Sequence, residues 1–186
     1  EGEQPSGEIY NTGIKRSLSY IRKWLDDNGF SGAKMWEDMR QAIVKTLLAA
    51  APSQVHAYRL CVPESRDTCG FSCFTVLGFD VMLDQQANPS IIEVNELPSF
   101  DADSPLDHEV KFGVLRESFL MVSPTVQELR QLKELGSHIT PGQKSSTDPK
   151  YIKQRQELFD LRIAQEKEHM KLCKLAFPVE VDGERG

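Results

Sequence analysis

The chain has 186 residues, of which 39% are hydrophobic, and it carries a formal net charge of −6. This composition is typical of a globular protein with one sizeable core, and the acidic balance argues against general nucleic-acid binding. The longest apolar run, residues 47–51, is far too short to cross a bilayer, and the N-terminal residues have neither the basic nor the apolar part of a signal peptide. We therefore expect a cytosolic protein that does not bind membranes.

The first part of the chain predicts a flexible segment and two helices. Residues 1–12 are polar and contain Gly and Pro, which is typical of a flexible segment. Ser17 is a good N-cap for a helix that an Asn-Gly pair ends at Gly29. A broad apolar stripe predicts a longer helix over residues 32–50, and we expect Pro52 to stop it.

The cysteines, at positions 61, 69, 73 and 173, do not form a disulfide scaffold in a chain of this length. Cys69 and Cys73, with Cys61 and His56 nearby, would offer four zinc-binding side chains. Their spacing, however, fits no common zinc pattern. We interpret the cysteines as buried thiols.

Residues 71–100 predict two antiparallel β-strands, because β-branched and aromatic residues occur on both sides of the turn sequence Gln-Gln-Ala-Asn-Pro. Pairing about a centre between Gln86 and Ala87 sets four pairs opposite each other: Phe79 and Val94, Asp80 and Glu93, Val81 and Ile92, and Leu83 and Ser90. Side chains alternate between the faces of a strand, so one face of this hairpin is apolar and belongs in the core. That face carries Leu77, Phe79, Val81, Leu83, Ile92 and Val94.

The opposite face of the hairpin brings two carboxylates together. Asp80 and Glu93 lie directly across the ladder, with Cβ atoms about 4.5–5.5 Å apart, and repel each other unless a positive charge lies between them. Asn95 adds an amide oxygen on the same face, and three oxygen donors suit Mg²⁺ or Mn²⁺. The residues alone leave an alternative open, namely a solvated acidic face whose charges pair with Lys or Arg from elsewhere in the chain.

The hairpin is followed by a strong helix start. Ser104 supplies a hydroxyl cap and Pro105 occupies the first helical position of a helix that we expect to run to about Val122. Asp101, Asp103 and Asp107 crowd its N-terminus, where the helix dipole favours anions. These carboxylates are therefore explained without a second metal site.

The last third of the chain predicts two further helices and a linker. Thr125 and Glu128 form a capping box for a short helix within residues 123–136, and residues 137–149 are a linker rich in Ser, Thr, Pro and Gly. Residues 150–178 predict a charged amphipathic extension that either binds a partner helix or packs back on its own domain. Residues 179–186 form a tail.

Three motifs, GFDVMLD, SIIEVNELPSF and DSPLDHEVK, resemble the C-terminal part of the tubulin-tyrosine-ligase-like family, whose enzymes have an ATP-grasp fold. The PSF and SPLD elements are most similar to the glutamate-adding branch of that family. The resemblance extends over residues 13–122. It implies an α/β (α+β) architecture, the C-terminal half of an ATP-grasp domain, in which helices pack on the antiparallel hairpin and a helical extension follows.

The resemblance also implies roles for single residues. The family residues that match Asp80, Glu93 and Asn95 hold the magnesium ions that bridge the ATP phosphates, and the lysine that matches Lys15 contacts the incoming amino acid. Glu96 stands where glutamate-elongating relatives often have a cationic or imidazole side chain that meets the substrate. A carboxylate at this position would repel glutamate, which leaves the identity of the amino acid open.

The implied reaction joins a free amino acid, glutamate in the most similar branch, to a tubulin-tail carboxylate that ATP has activated as an acyl phosphate. The implied cofactors are ATP and Mg²⁺ or Mn²⁺, and the implied partners are free glutamate and tubulin or microtubules, in the cytoplasm or in a cilium, flagellum or basal body. No enzyme nucleophile is needed, and no Ser-His-Asp or Cys-His arrangement indicates hydrolysis, so we assign no catalytic side chain.

Two alternatives to this function stay open. One is a non-catalytic microtubule-associated relative, and the other is an ATP-grasp ligase that adds glycine or tyrosine or that modifies another protein. The family's ATP-binding lysines lie upstream of the matched region. We therefore expect these 186 residues to be a C-terminal fragment that does not turn over ATP by itself.

Overall fold

The computed structural model describes residues 14–62, 73–137 and 148–176, together with the backbone of residues 180–181 and 184–185. These residues are mostly helical, with an antiparallel hairpin in the middle of the chain. The elements in chain order are α1 (Leu18–Asp27), α2 (Gly32–Cys61), β1 (Gly78–Leu83), β2 (Pro89–Asn95), α3 (Pro105–Val122), α4 (Val126–Ser137), α5 (Pro149–His169), β3 (Glu180–Val181) and β4 (Glu184–Arg185). The predicted segment 1–12, most of the predicted linker 137–149 and Cys69 lie outside the described residues.

The described residues divide into two units. The first takes its residues from 1–50, 76–112 and 175–186, and it contains α1 and the β1–β2 hairpin. The second takes its residues from 51–75 and 113–174, and it contains α4 and α5. Candidate site residues 15, 80, 93, 95 and 96 all belong to the first unit.

Helix α1 begins and ends where the sequence predicts. The Ser17 hydroxyl accepts the backbone N–H of Tyr20 at 3.1 Å, which satisfies one of the free N–H groups of the first turn. Gly29 follows the helix with a φ of 83°, a left-handed conformation that glycine adopts without steric cost. The chain then turns into α2, and Leu25 and Met35 are the buried apolar residues of the two helices.

The prediction that Pro52 stops α2 is wrong, because the helix continues to Cys61 with Pro52 inside it. A proline in a helix interior removes one hydrogen bond and crowds the preceding turn, at a cost of about 3 kcal/mol. The residues on both sides of Pro52 include several good helix formers, among them the alanines at 49–51. Their hydrogen bonds outweigh this loss, so the helix does not end at the proline.

Helices α4 and α5 pack on each other around a small apolar core of Tyr151 and Leu158, with Leu132 partly buried against it. The capping box predicted for α4 is confirmed: Glu128 accepts the backbone N–H of Thr125, and the Thr125 hydroxyl accepts the backbone N–H of Glu128 at 3.2 Å. Helix α5 begins after Asp148, whose carboxylate accepts the Lys150 N–H at 2.9 Å.

A buried ion pair joins these two helices. The side chains of Glu128 and Arg162 are 3% and 4% exposed, and Arg162 Nη1 lies 3.3 Å from Glu128 Oε1. Arg162 also donates to the backbone carbonyls of Met121 and Ser123 at the end of α3. One guanidinium therefore pairs with α4 and satisfies carbonyl groups that the end of α3 leaves free.

Glu117 forms a second buried polar contact, which we call the Glu117 latch. Glu117 is 4% exposed, and its carboxylate accepts the backbone N–H groups of Lys171, Leu172 and Cys173 at 2.7 to 3.1 Å. Helix α5 ends at His169, so the part of the predicted extension from 171 to 173 is held against α3 by the latch instead of continuing the helix.

The interpretation of the cysteines as buried thiols is wrong for Cys61 and Cys73, which are both exposed; Cys173 is partly buried. Cys61 is the last residue of α2, and Cys73 precedes β1 in a segment without regular structure. Positions at the ends of elements have fewer neighbours to cover them. Within the described ranges, none of the helices is both long and apolar enough to span a membrane.

Candidate metal and substrate site

Residues 84–88 join β1 and β2. The Asp84 N–H donates to the Asn88 carbonyl at 3.1 Å, so the loop inside this bond has three residues, Gln85 to Ala87, and Asp84 organises it. The Asp84 carboxylate accepts the backbone N–H groups of Gln86 at 2.9 Å and Asn88 at 2.8 Å, and the Asn88 side-chain amide at 2.9 Å. The Asn88 side-chain bond is the largest cause that lowers the pKa of Asp84. Ala87 has a φ of 62°, which a three-residue hairpin loop requires of its last residue and which alanine adopts at a steric cost.

The strands β1 and β2 pair antiparallel as predicted, but β2 contains a β-bulge. The observed pairs are Leu83 with Pro89, Met82 with Ser90, Val81 with Ile91, Asp80 with Glu93, Phe79 with Val94, and Gly78 with Asn95. The predicted pairs of Leu83 with Ser90 and of Val81 with Ile92 are therefore wrong. Ile92, the extra residue of the bulge, is 63% exposed and does not belong to the core face, whereas Ile91 is half-buried.

The bulge decides where the two carboxylates lie. In the register that the three-residue loop sets, Asp80 would face Ile92, and Glu93 would point to the other side of the hairpin. The extra residue in β2 shifts the register back by one. The predicted pairing of Asp80 with Glu93 is therefore confirmed, through a loop and a bulge that compensate each other.

The third predicted metal ligand lies beside this pair. Asn95 is half-buried, and its Nδ2 donates to Asp80 Oδ2 at 3.3 Å. A half-turn of the amide exchanges its nitrogen and oxygen, so the carbonyl oxygen can take the place next to Asp80. The structure thus brings two carboxylates and one amide together on one face of the hairpin.

The charges of Asp80 and Glu93 are not neutralised by basic side chains in the part of the chain that the structure describes. Neither carboxylate forms an ion pair there with lysine, arginine or histidine. Among these described residues there is also no group of three or more His, Cys, Asp or Glu side chains that could hold a metal ion. A metal at this site would therefore need the Asn95 oxygen, and the donor set of two exposed carboxylates and an amide fits Mg²⁺ or Mn²⁺, which leave positions for water and phosphate oxygens.

The segment after β2 turns back over the hairpin. A Cβ atom added at Gly78 would lie 3.0 Å from Pro98 Cβ, which is closer than ordinary van der Waals contact, so the glycine lets this segment lie close to β1. Glu96, the predicted substrate contact, directly follows Asn95 and is exposed, and so is Leu97.

Lys15, the other predicted substrate contact, pairs with Asp107 in the first turn of α3. The Ser104 hydroxyl donates to the same Asp107 oxygen at 2.6 Å. The hydrogen bond to Asp107 is the largest cause that raises the pKa of Lys15, and the bond from Lys15 is the largest cause that lowers the pKa of Asp107.

The partnership of Lys15 and Asp107 was not visible in the sequence. Asp107 has a sufficient local explanation, because a carboxylate three residues after Ser104 caps a helix. The lysine lies 92 residues away along the chain. A signal was nevertheless present: Asp101, Asp103 and Asp107 supply more negative charge than the cap of α3 needs.

Comparison with known proteins identifies relatives over this region. The family model described as "Tubulin-tyrosine ligase family" matches residues 4–131. The chain is 40% identical over 116 residues to tubulin polyglutamylase TTLL7 of Xenopus tropicalis, covering 62% of this chain and 13% of the relative. It is 40% identical over 124 residues to tubulin polyglutamylase ttll6 of Danio rerio, covering 67% of this chain and 16% of the relative.

A third relative is aligned with nearly the whole chain. The probable beta-tubulin polyglutamylase of Tetrahymena thermophila is 31% identical over an alignment of 186 positions, covering 94% of this chain and 15% of the relative. The chain thus spans between about an eighth and a sixth of the length of these relatives. The family match includes the hairpin with Asp80, Glu93 and Asn95 and the segment that carries Lys15, and we conclude that the chain belongs to the tubulin-tyrosine ligase family.

Proposed function

We propose that the full-length protein is an ATP- and magnesium-dependent ligase with an ATP-grasp fold that adds glutamate to carboxylates of tubulin C-terminal tails. One observation carries the proposal: Asp80 and Glu93 face each other with Asn95 beside them, and no basic side chain of the described residues pairs with the two carboxylates. Two unpaired carboxylates across a ladder destabilise a hairpin, so the arrangement is best explained by a cation.

The three side chains would hold the metal through one carboxylate oxygen each from Asp80 and Glu93 and through the Asn95 carbonyl oxygen. A divalent cation at this position would neutralise negative charge on the ATP phosphates during phosphoryl transfer. The β1–β2 hairpin contributes rigidity, because the ligands lie on paired strands and the loop is fixed by the Asp84 hydrogen bonds.

In the proposed reaction the tail carboxylate attacks the γ-phosphorus of ATP and ADP leaves, which gives an acyl phosphate. The amino group of the free amino acid then attacks the acyl carbon, phosphate leaves, and the nitrogen loses a proton as the amide bond forms. Lys15 would pair with a carboxylate of the incoming amino acid and orient its amino group. The protein supplies position and charge, and it needs no covalent nucleophile.

Glu96 favours a second candidate for the amino acid. Glu96 directly follows Asn95 along the chain and is exposed, and a carboxylate that meets the incoming amino acid would repel the side chain of glutamate. An amino acid without a side-chain carboxylate, such as glycine or tyrosine, would not meet this repulsion. Incorporation assays with labelled glutamate, glycine and tyrosine in parallel distinguish these candidates, and Glu96→Arg should raise the rate with glutamate relative to glycine.

The main test measures ATP-dependent incorporation of labelled amino acid into tubulin by full-length protein, together with Mn²⁺ binding by electron paramagnetic resonance. We expect Glu93→Gln to lower the ligation rate by roughly 100-fold or more and to weaken Mn²⁺ binding, because a metal ligand and its charge are lost. Glu109→Gln, which changes an exposed carboxylate in α3, is the matched control and should retain both.

Two results would reject parts of this proposal. Ligation at the normal rate by the Glu93→Gln variant would show that the triad does not support catalysis. Mn²⁺ binding by the unsubstituted protein without incorporation of any of the three amino acids would instead favour a non-catalytic microtubule-associated relative.

A further inference from the structure

Lys15 lies in a segment without regular secondary structure that precedes α1. Its side chain is 52% exposed, and its ammonium group is held by the carboxylate of Asp107, whose side chain is only 16% exposed. A lysine side chain has four rotatable carbon-carbon bonds and loses much rotamer freedom when it is fixed. The position of the Lys15 ammonium group therefore depends on Asp107 as much as on the backbone of Lys15.

Asp107 is itself held by several bonds. The Ser104 hydroxyl donates to its carboxylate at 2.6 Å, and the backbone N–H of Asp107 donates to the Ser104 oxygen at 3.1 Å. Both residues lie at the start of α3, an 18-residue helix. Nearby, Lys111 Nζ donates to the Asp101 carbonyl at the loop that leads into α3. Asp107 thus presents its carboxylate from a rigid element, whereas Lys15 extends from an irregular one.

We propose that Asp107 is a positioning residue for amino-acid binding, which holds the Lys15 ammonium in place so that its exposed side can receive the carboxylate of the incoming amino acid. This inference rests on the proposed function, which assigns that carboxylate to Lys15. An ammonium group has three N–H donors, and the bond to Asp107 occupies one of them. Among the residues that the structure describes, Asp107 is the partner of this ammonium, so its other donors can bind a second carboxylate while the first bond stays intact.

The charges around Lys15 agree with this role. The hydrogen bond that Lys15 donates to Asp107 and the negative charge of Asp103 both raise the pKa of Lys15, so the side chain stays an ammonium at physiological pH. A fixed carboxylate beside a cation also competes with an incoming anion. Because Asp107 stays bonded to Lys15 and Ser104, we expect the gain from a fixed ammonium to exceed this competition.

The test measures binding of radiolabelled L-glutamate to full-length protein by equilibrium dialysis, with a non-hydrolysable ATP analogue and Mg²⁺ present. Asp107→Asn keeps the size of the side chain and its place near the cap, but it removes the charge. We expect it to weaken glutamate binding about tenfold, the order expected when a flexible lysine loses its anchor. Asp103→Asn makes the same charge change without a hydrogen bond to Lys15 and should change binding less than about threefold.

Kinetics separate positioning from a general structural defect. Asp107→Asn should raise the KM for glutamate about tenfold and leave kcat and the KM for ATP within about twofold, because only amino-acid binding depends on Lys15. Asp107→Glu keeps a carboxylate that can both cap α3 and reach Lys15, so it should restore most of the affinity.

The outcomes distinguish this inference from the proposed function. Unchanged or tighter glutamate binding by Asp107→Asn, or equal weakening by Asp103→Asn, overturns the positioning role and leaves the ligase proposal standing. Absence of glutamate binding by the unsubstituted protein also overturns it. If glutamate binds and Asp107→Asn weakens its binding, but no glutamate is ligated to tubulin, the positioning role is supported and the ligase proposal fails.

Discussion

The Glu117 latch makes a prediction whose size follows from the structure. Glu117 is buried and accepts three backbone N–H groups, with Leu172 shared between both carboxylate oxygens. In Glu117→Gln the remaining oxygen can still accept from these groups, but the bonds lose the carboxylate charge. Hydrogen bonds to a charged group are worth about 1 kcal/mol more than neutral ones, so three bonds lose about 3 kcal/mol in total. When the new amide NH₂ takes the place of Oε2, it cannot accept the Leu172 N–H, because both groups are donors.

Amide hydrogen exchange is the appropriate assay, because it reports local opening at residues 171–173 whatever the size of the protein. A loss of about 3 kcal/mol corresponds to roughly 100-fold faster exchange of these amides. Glu109→Gln changes an exposed carboxylate in the same helix and should leave the exchange rates unchanged. Equal exchange rates at 171–173 in Glu117→Gln and the unsubstituted protein would show that the latch does not stabilise this segment.

The latch also predicts a pH dependence. Burial raises the pKa of Glu117, but the hydrogen bonds from the N–H groups of Cys173, Leu172 and Lys171 together lower it by more than burial raises it. The net result is a pKa below its usual value of 4.5. Because the folded-state pKa is lowered, this contribution to stability is complete above the unfolded pKa of about 4.5 and is lost as the pH falls through the folded value. Protection of the three amides, corrected for intrinsic exchange, should therefore decrease only below about pH 4.

Two further predictions concern stability, each measured by equilibrium urea unfolding. Arg162→Met removes the ion-pair partner of the buried Glu128 and should lower the free energy of unfolding by about 3–5 kcal/mol. Lys153→Met removes an exposed pair with Glu157 in the same helix and should lower it by less than about 1 kcal/mol. Similar losses in the two variants would contradict the importance assigned to burial. Ala87→Gly removes the steric cost of a left-handed backbone conformation at alanine and should stabilise the hairpin by about 1 kcal/mol. Ala87→Val should destabilise the hairpin, since a β-branched residue tolerates this conformation poorly. The reverse order of stabilities would contradict the assigned loop conformation.

The features that depend on a few neighbouring residues were predictable from the sequence. Ser17, Ser104 and the Thr125–Glu128 box cap their helices as expected, because an N-cap needs only a side chain and an N–H two or three residues away. The hairpin followed from strand-forming residues on both sides of a turn sequence. The pairing of Asp80 with Glu93 followed from the same pattern, although through a register that is correct in only one half of the ladder.

Features that depend on exact geometry or on distant residues were not predictable in this way. A three-residue loop and a four-residue loop are both compatible with the turn sequence, and only the structure shows that the shorter loop forms and that Ile92 compensates for it. Pro52 breaks one hydrogen bond wherever it stands, yet whether a helix ends there depends on the sum of its neighbours' contributions.

The caps, the hairpin and the residue types of the proposed metal site follow from the chain alone, because they result from local backbone preferences and from the alternation of side chains along a strand. Helix packing sets which distant groups meet: Lys15 with Asp107, Arg162 with Glu128, and Glu117 with residues 171–173. Each of these contacts joins residues at least 34 positions apart. Such partners are chosen by how the helices pack and which charges become buried, and no local pattern in the chain specifies that choice.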